Sequence, residues 1–226
     1  PLGSGFVEWW RLNSPQTRNA LTDELVQALR DQATRAHKDS QLRVVVLCGN
    51  GGHFCAGGSL GGFASSIGSP LPAGAQDPLV QANREFGHLL QLLAELPQLL
   101  IAAVQGAAMG GGVGLVCVAD WVVADQQAVF ATPEVTLGIV PAQIAPFVVR
   151  RIGQAAARRC LLTGERWDAA TAQHAGLVDE VVAGDMEAAV QAAIARHAAA
   201  APQAVAATKR LLLAQPETTL PALLDE

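Results

Sequence analysis

Residues 108–117 read AMGGGVGLVC, with glycine at four of the five positions from 110 to 114. The rest of this stretch is apolar and has the character of a buried helix. Glycine is a poor choice inside a helix, at roughly 1 kcal/mol worse than alanine. The glycines therefore predict that another group approaches the backbone closely at this point.

The segments around this stretch alternate between strand and helix patterns. Residues 42–49 (LRVVVLCG) and 98–106 (QLLIAAVQG) are continuous apolar runs of strand length, which are typical of strands buried on both faces. Apolar residues recur at helical spacing from Leu21 onward, and Asp168 and Gly176 are placed to cap and to end another helix. Further helices are predicted to begin near residues 144, 154 and 202. This alternation predicts an α/β fold with a largely parallel sheet, followed by a helical C-terminal part.

The composition excludes some classes of function. The chain has 226 residues, of which 50% are hydrophobic and 15% are charged, which is enough for one substantial core. A formal net charge of -5 and the lack of any long Lys/Arg run argue against a nucleic-acid surface. Residues 96–119 carry no charge, but Pro97, Gln105 and five glycines argue against a membrane span there.

The cysteine pattern bears on metal binding and on the cellular compartment, and the first residues bear on the extent of the folded region. The four cysteines show no C-x-x-C spacing and no cluster with histidine, so no metal site is expected. Reduced thiols in a cytoplasmic protein are the default expectation for such a pattern. Residues 1–4 (PLGS) look like a protease-site remnant of a cleaved tag, so they are left out of the reasoning about the fold.

Two glycine-rich segments each follow a predicted buried strand: FCAGGSL at residues 54–60 and QGAAMGGGVGL at residues 105–115. In a parallel sheet both would lie at the carboxyl ends of strands, where ligands bind in such folds. Backbone N–H groups that converge there can stabilise a developing negative oxygen. Neither segment matches the dinucleotide-binding or P-loop pattern. The alternative is that the glycines only permit close packing of helices on the sheet.

Five ordered motifs between residues 18 and 183 carry a resemblance to a known family. They are RNAL (18–21), HFCAGGSL (53–60), VQGAAMGGGVGLVCVAD (104–120), FATPEVTLGIVP (130–141) and LLTGERWDAATAQHAGLVDEVV (161–182). Together they resemble the crotonase, or enoyl-CoA hydratase/isomerase, superfamily. The resemblance implies a spiral of ββα units over residues 5–183, with a helical region over 184–226. It also implies an acyl-CoA thioester substrate, no cofactor beyond the CoA of that substrate, and a homotrimer or a hexamer of two trimers.

The resemblance also implies which residues form the site. Gly58 and Gly111 would donate the two backbone hydrogen bonds of an oxyanion hole, which holds the thioester oxygen of an enolate intermediate. A Cβ at position 111 would push the thioester carbonyl away, and Ser59 stands where the family usually has Asp. Arg18 is expected to reach a CoA phosphate. The residues expected to contact the substrate or its CoA are Arg18, Ala56, Gly58, Leu60, Gly111, Gly114 and Gln143.

The acid/base residues decide which reaction such a site catalyses. Family hydratases with the fullest pattern use two glutamates, and the corresponding positions here are Gly114 and Glu134. One glutamate is therefore missing, and Glu134 is the expected acid/base. A carboxylate held beside apolar groups has a raised pKa, which suits it to exchange a proton with the carbon next to the thioester.

The segment PAQIAPFVVRR at residues 141–151, together with Gly114, resembles the branch that hydrates branched glutaconyl thioesters, of the methylglutaconyl-CoA or isohexenylglutaconyl-CoA type. The bulk of Gln143, Ile144 and Phe147 predicts an unusual acyl pocket. A hydratase of such a thioester is the first hypothesis, with water or a carboxylate of the substrate replacing the missing glutamate. The alternatives are an enoyl-CoA isomerase with a single glutamate base and a non-catalytic CoA-binding subunit.

Overall fold

The computed structural model describes residues 6–58, 78–197 and 199–214. Its largest sheet has five strands, and each neighbouring pair is parallel. In spatial order these strands are β1 (Val7–Leu12), β2 (Val44–Gly49), β3 (Leu99–Val104), β5 (Trp121–Asp125) and β8 (Glu180–Val182). The parallel sheet that the apolar runs predict is therefore present.

The middle strands are buried on both faces, because their side chains alternate between two hydrophobic clusters. Val45 and Leu47 of β2 point into the larger cluster, and Val44 and Val46 of the same strand point into the smaller one. Val45, Val46 and Leu47 have no exposed surface. A strand with two apolar partners has no polar face, which explains the continuous apolar run in its sequence.

A second sheet has three short strands: β4 (Ala107–Met109), β6 (Val129–Ala131) and β7 (Arg166–Asp168). β4 pairs with β6 in parallel, and β6 pairs with β7 in antiparallel orientation. The chain passes from β3 to β4 and later from β5 to β6, so each turn places one strand in each sheet before the next helix. This arrangement is the predicted spiral of ββα units. The sequence pattern did not predict β4 or β7, because three residues are too few to show a period.

The helices agree with the predicted starts and stops. The α-helices are α1 (Asp23–Ala36), α2 (Pro78–Ala94), α3 (Gly111–Cys117), α4 (Ala145–Thr163), α5 (Ala169–His174), α6 (Met186–His197) and α7 (Pro202–Leu213). The Asp168 side chain accepts a hydrogen bond from the Thr171 N–H and caps α5, and Gly176 follows that helix with a φ of +83°. Gly153 interrupts α4 with a φ of +72°, so the helix predicted near residue 154 is the second segment of α4.

The C-terminal helices pack against the same sheet. Val190, Ala193 and Ile194 of α6 belong to the smaller hydrophobic cluster and cover the outer face of the large sheet. The predicted boundary between residues 183 and 184 stays a prediction. Within the described ranges, no helix combines the length and the apolar character that crossing a membrane requires.

Candidate active site

We call the two glycine-rich segments that follow β2 and β3 the glycine junctions. The two junctions lie side by side. The Cys55 N–H donates to the Ala107 carbonyl, and the Met109 N–H donates to the Cys55 carbonyl, each at 2.9 Å. A Cβ built on Gly57 would lie 2.6 Å from the Met109 carbonyl oxygen and 3.6 Å from the Gly111 nitrogen. Gly57 also has a φ of +85°, which glycine adopts without strain. Glycine at this position thus permits the two junctions to approach closely. Their convergence was predicted, because each follows a strand of the parallel sheet.

The orientation of the Gly58 N–H follows from the peptide that precedes it. The Gly57 carbonyl accepts a hydrogen bond of 2.8 Å from the Leu21 N–H. In a trans peptide the carbonyl of one residue and the N–H of the next point in opposite directions. The Gly58 N–H therefore points away from Leu21.

The Gly111 N–H is oriented by the first turn of α3. The Gly110 carbonyl accepts from the Val113 N–H at 2.9 Å and from the Gly114 N–H at 3.2 Å, so it points along the helix. By the same trans geometry, the Gly111 N–H points out of the helix start. Gly110 itself adopts φ +49° and ψ -116°, a conformation that side chains disfavour.

Glu134 places its carboxylate beside this helix start. It lies in a short 3-10 helix, Pro133–Leu137, that follows β6. A Cβ built on Gly110 would be 2.8 Å from Glu134 Oε1, so the carboxylate lies directly beside the Gly110 backbone. Its Oε2 atom is buried and has no hydrogen-bond partner among the described residues. Burial raises the pKa of Glu134, opposed only in part by a backbone hydrogen bond.

The position of the missing glutamate is filled by apolar side chains. A Cβ built on Gly114 would lie 2.7 Å from Ile144 Cγ2 and 3.2 Å from Leu90 Cδ1. Both side chains are buried. A longer side chain at position 114 would have to displace Ile144, which the sequence pattern alone did not predict. Ile144 and Leu90 therefore occupy the space that a glutamate side chain at position 114 would need.

Protein side chains leave no room for a Cβ at position 111. A Cβ built on Gly111 would lie 2.6 Å from Leu21 Cδ1 and 3.1 Å from the Phe86 ring. Packing of Leu21 and Phe86 therefore requires glycine here, while the predicted clash of a Cβ with a thioester carbonyl stays a prediction. Phe86 lies on the apolar stripe of α2, together with Leu89 and Leu90, and that stripe by itself indicated only a core position.

The remaining substrate contacts stay predictions, but the structure shows where most of these residues lie. The Arg18 side chain is exposed, while its carbonyl accepts a hydrogen bond of 2.9 Å from the Ala56 N–H, so both residues adjoin the glycine junction. The Gln143 side chain lies against α2, because a Cβ built on Gly87 would be 2.1 Å from its Oε1 atom. Leu60 lies outside the described residues. No contact with substrate is tested for any of these positions.

Two other groups near the junction have structural partners. His53 Nδ1 accepts a hydrogen bond of 3.2 Å from the Ala107 N–H. Burial raises the pKa of the Cys55 thiol to about 12, so at neutral pH it stays protonated and is a poor nucleophile. Within the described ranges, no three His, Cys, Asp or Glu side chains are grouped so that they could hold a metal ion. The described groups that can act on a substrate here are thus one carboxylate and two outward-pointing N–H groups.

Comparison with known proteins identifies the family of the chain. The sequence model of the family described as Enoyl-CoA hydratase/isomerase matches residues 6–226. The chain is 36% identical over 216 residues to the 2,3-dehydroadipyl-CoA hydratase of Escherichia coli (strain K12), an alignment that covers 93% of this chain and 80% of the relative.

Solved structures give the same result for the fold. An enoyl-CoA hydratase/isomerase from Marinobacter aquaeolei superimposes with a TM-score of 0.89 at 40% identity. Pseudomonas aeruginosa AtuE superimposes with a TM-score of 0.89 at 44% identity. Each comparison covers 96% of this chain and 83% of the other. These superpositions confirm the predicted fold class.

Proposed function

The chain belongs to the enoyl-CoA hydratase/isomerase family and is an enzyme of the hydratase type, and we propose that it adds water to the α,β double bond of a branched, glutaconyl-type CoA thioester. In this proposal the N–H groups of Gly58 and Gly111 hold the thioester oxygen, and Glu134 carries the proton. The observation that supports it best is the buried Glu134 carboxylate, which lies against Gly110 with an unpartnered Oε2.

The proposed chemistry uses Glu134 twice. The carboxylate accepts a proton from water as the water oxygen bonds to the β-carbon, and the electron pair of the double bond moves to the thioester oxygen. The Gly58 and Gly111 N–H groups stabilise that negative charge, and each such donor is worth about 2.7–4 kcal/mol in comparable sites. Glu134 then returns the proton to the α-carbon. The raised pKa of Glu134 suits both the gain and the loss of this proton.

Two observations support a glutaconyl-type acyl group. The name of the E. coli relative denotes an unsaturated thioester of a dicarboxylic acid, and a glutaconyl group is also unsaturated and dicarboxylic. In addition, Ile144 and Leu90 close the position of the second glutamate, so a carboxylate supplied by the substrate would take over its role of orienting water. The contacts proposed for Arg18, Ala56, Leu60, Gly114 and Gln143 belong to this model of substrate binding.

The second candidate is a double-bond isomerase. Moving a double bond from the β,γ to the α,β position needs a single base, and the apolar filling at Gly114 leaves Glu134 as the described carboxylate of the site. The third possibility, a non-catalytic CoA-binding subunit, has no such support, because the E. coli relative is a hydratase. The oligomeric state, a homotrimer or a hexamer of two trimers, and the cytoplasmic location stay predictions, which light scattering and cell fractionation would test.

A panel of thioesters tests the proposal. The purified protein is incubated with a straight-chain 2-enoyl-CoA, a 3-enoyl-CoA and 3-methylglutaconyl-CoA, and the products are weighed by mass spectrometry. We expect 3-methylglutaconyl-CoA to gain the mass of one water faster than the straight-chain thioester does. Conjugation of the 3-enoyl-CoA without a gain in mass, and no hydration of the other two, would instead establish the isomerase. Equal rates for both 2-enoyl thioesters would contradict the branched specificity alone.

A further inference from the structure

Asn19, in the RNAL motif, is a polar residue with no exposed surface. Its backbone has a φ of +58°, in the left-handed region that asparagine tolerates better than most residues. Its Nδ2 group donates to the carbonyls of Asn50, at 2.9 Å, and His53, at 2.7 Å. Its Oδ1 accepts from the Ser14 N–H at 2.8 Å. Both amide donors are thus used, and the side chain joins residues 14–19 to residues 50–53.

The fold makes room for this side chain beside the glycine junction. A Cβ built on Gly49, the last residue of β2, would lie 2.8 Å from Asn19 Nδ2 and 2.0 Å from the His53 carbonyl oxygen. Glycine at this position therefore lets the Asn19 amide bond the chain where it leaves β2. The residues that follow lead directly to Gly58.

The neighbours of Asn19 hold the junction as well. The Arg18 carbonyl accepts from the Ala56 N–H, and the Leu21 N–H donates to the Gly57 carbonyl. These two hydrogen bonds lie on either side of Asn19 in the sequence. The backbone conformation at Asn19 therefore sets where the Leu21 N–H meets the Gly57 carbonyl, and that bond in turn orients the Gly58 N–H.

Cys55 orients the peptide group between Ala56 and Gly57. Its Sγ atom accepts a hydrogen bond of 3.4 Å from the Gly57 N–H. Its side chain also borders the second junction, because a Cβ built on Gly112 would lie 3.0 Å from Cys55 Cβ. Cys55 is fully buried. Each of the three peptides from Cys55 to Gly58 is thus held by at least one hydrogen bond, and the Cys55 side chain supplies the one on the middle peptide.

We propose that Asn19 and Cys55 are positioning residues that aim the Gly58 N–H at the thioester oxygen, Asn19 through the Leu21 contact and Cys55 through the Gly57 N–H. This inference rests on the proposed role of Gly58 as an oxyanion donor. Neither side chain touches the substrate in this proposal. Their effect appears only in the strength of the hydrogen bond that the thioester carbonyl receives.

The test reads that hydrogen bond directly. Butanoyl-CoA, a saturated thioester that cannot be hydrated, is labelled with carbon-13 at the carbonyl, and its infrared stretch is recorded free and bound. Four variants are compared with the wild type. Asn19→Gly keeps the backbone freedom but loses the amide bonds, Cys55→Ala loses the sulfur acceptor, and Cys55→Ser keeps an acceptor. Gln98→Ala is the control, because Gln98 is also a buried amide that bonds two carbonyls, of Ala36 and Asp39, next to the start of β3.

We expect the bound stretch to be lowered in the wild type, in Cys55→Ser and in Gln98→Ala, and to return towards the free value in Asn19→Gly and Cys55→Ala. In the latter two, kcat for the hydration of 3-methylglutaconyl-CoA should fall about tenfold, with little change in KM. This fall is smaller than the one expected when a whole oxyanion donor is lost. Cys55→Ala tests the inference independently if Asn19→Gly does not fold.

Two outcomes would overturn the inference and are distinguishable. A lowered stretch that persists in Asn19→Gly and Cys55→Ala would exclude the positioning role and leave the oxyanion hole intact. A wild-type stretch equal to that of the free thioester would exclude the oxyanion hole, and the positioning role with it. A fall in kcat that the Gln98→Ala control shares, without any change in the stretch, would show a general loss of stability instead.

Discussion

Carboxylates on the two sides of the five-stranded sheet, before its strands begin and beyond their carboxyl ends, differ in their hydrogen bonding. At the amino end, Asp120 directly precedes β5, and its Oδ2 atom accepts hydrogen bonds from the Leu100 N–H at 2.7 Å and from Lys209 Nζ at 2.6 Å. On the carboxyl side, β3 leads through β4 to Gly110, and Glu134, which follows β6 of the second sheet, lies beside Gly110. Its Oε2 atom is buried without a partner among the described residues. One carboxylate oxygen thus has two hydrogen bonds on the amino side, and another has none among the described residues on the carboxyl side.

The arrangement at the amino end occurs twice. Asp179 directly precedes β8, and its Oδ2 atom accepts from the Val122 N–H at 2.7 Å and from the Arg151 guanidinium at 2.6 Å. Each aspartate therefore caps the neighbouring strand and pairs with a cation from a helix, since Lys209 lies on α7 and Arg151 on α4. This repetition indicates that the amino end holds strands and helices together.

The carboxyl end instead keeps hydrogen-bonding capacity for a ligand. The Gly58 and Gly111 N–H groups point away from their own neighbours, and Glu134 rests on Gly110. A buried polar atom without a partner among the described residues, such as Glu134 Oε2, costs stability, and groups of this kind can bind a transition state. The difference between the two ends predicts that substitutions at one end change stability and that substitutions at the other change activity.

The largest expected effect is the loss of activity in Glu134→Gln. Without the proton-carrying carboxylate, kcat should fall about 10²–10⁴-fold, the usual contribution of general acid–base catalysis. The matched control is Asp120→Asn at the opposite end, which should leave kcat unchanged. Steady-state hydration of 3-methylglutaconyl-CoA measures both. A Glu134→Gln enzyme with full activity would remove Glu134 from the mechanism, and an inactive, folded Asp120→Asn enzyme would break the division between the ends.

A smaller effect is expected on stability when Lys209 is replaced by Met. Removing one partner of a buried ion pair costs about 3–5 kcal/mol, and we expect less here, about 1–3 kcal/mol, because the Asp120 side chain is 24% exposed. Urea unfolding measures the change, and Arg210→Met, at an exposed neighbouring position, is the control. Equal unfolding free energies for the two variants would contradict an anchoring role for Lys209.

The same experiment has a dependence on pH with a definite sign. Burial lowers the pKa of Lys209 below its value in the unfolded chain, although Asp120 opposes this shift. Between the two pKa values the unfolded chain binds more protons, so the free energy of unfolding should rise with pH across that alkaline window. The Lys209→Met variant should lack this rise.

The smallest expected effect is a gain in stability in Glu134→Gln. Burial raises the pKa of Glu134 above its unfolded value, so the folded chain binds more protons between the two values. The free energy of unfolding of the wild type therefore falls as pH rises through that window. The variant should be more stable than the wild type near neutral pH and equally stable at acidic pH below both values. Thermal unfolding of the wild type and of Glu134→Gln at the two pH values checks it, with Glu95→Gln, at an exposed position, as the control variant.

Much of the fold could be predicted from local patterns. The buried strands β2 and β3 have continuous apolar runs, and α5 has a capping aspartate and a terminal glycine in the predicted places. The convergence of the two glycine junctions also followed from the rule that parallel strands end at one edge of the sheet. The short strands β4 and β7 did not, since their pairing partners lie elsewhere in the chain.

Parts of the candidate site could not be predicted in this way. Asn19 bonds carbonyls 31 and 34 residues further along the chain, and nothing in its local sequence indicates those partners. Likewise, Gly114 alone shows that a carboxylate is missing, but only the packing of α4 on α3 shows that Ile144 fills its place.

The sequence by itself thus determined the longer elements, the family resemblance and the presence of one candidate carboxylate, Glu134. These depend on periodicity and on residue types at short spacing, which are local properties. Only the tertiary structure decided in which direction the Gly58 and Gly111 N–H groups point, which side chains occupy the space beside Gly114 and which carboxylates have hydrogen-bond partners among the described residues. Hydrogen-bond direction and burial depend on groups that are distant in the chain, so they exist only once the chain has folded.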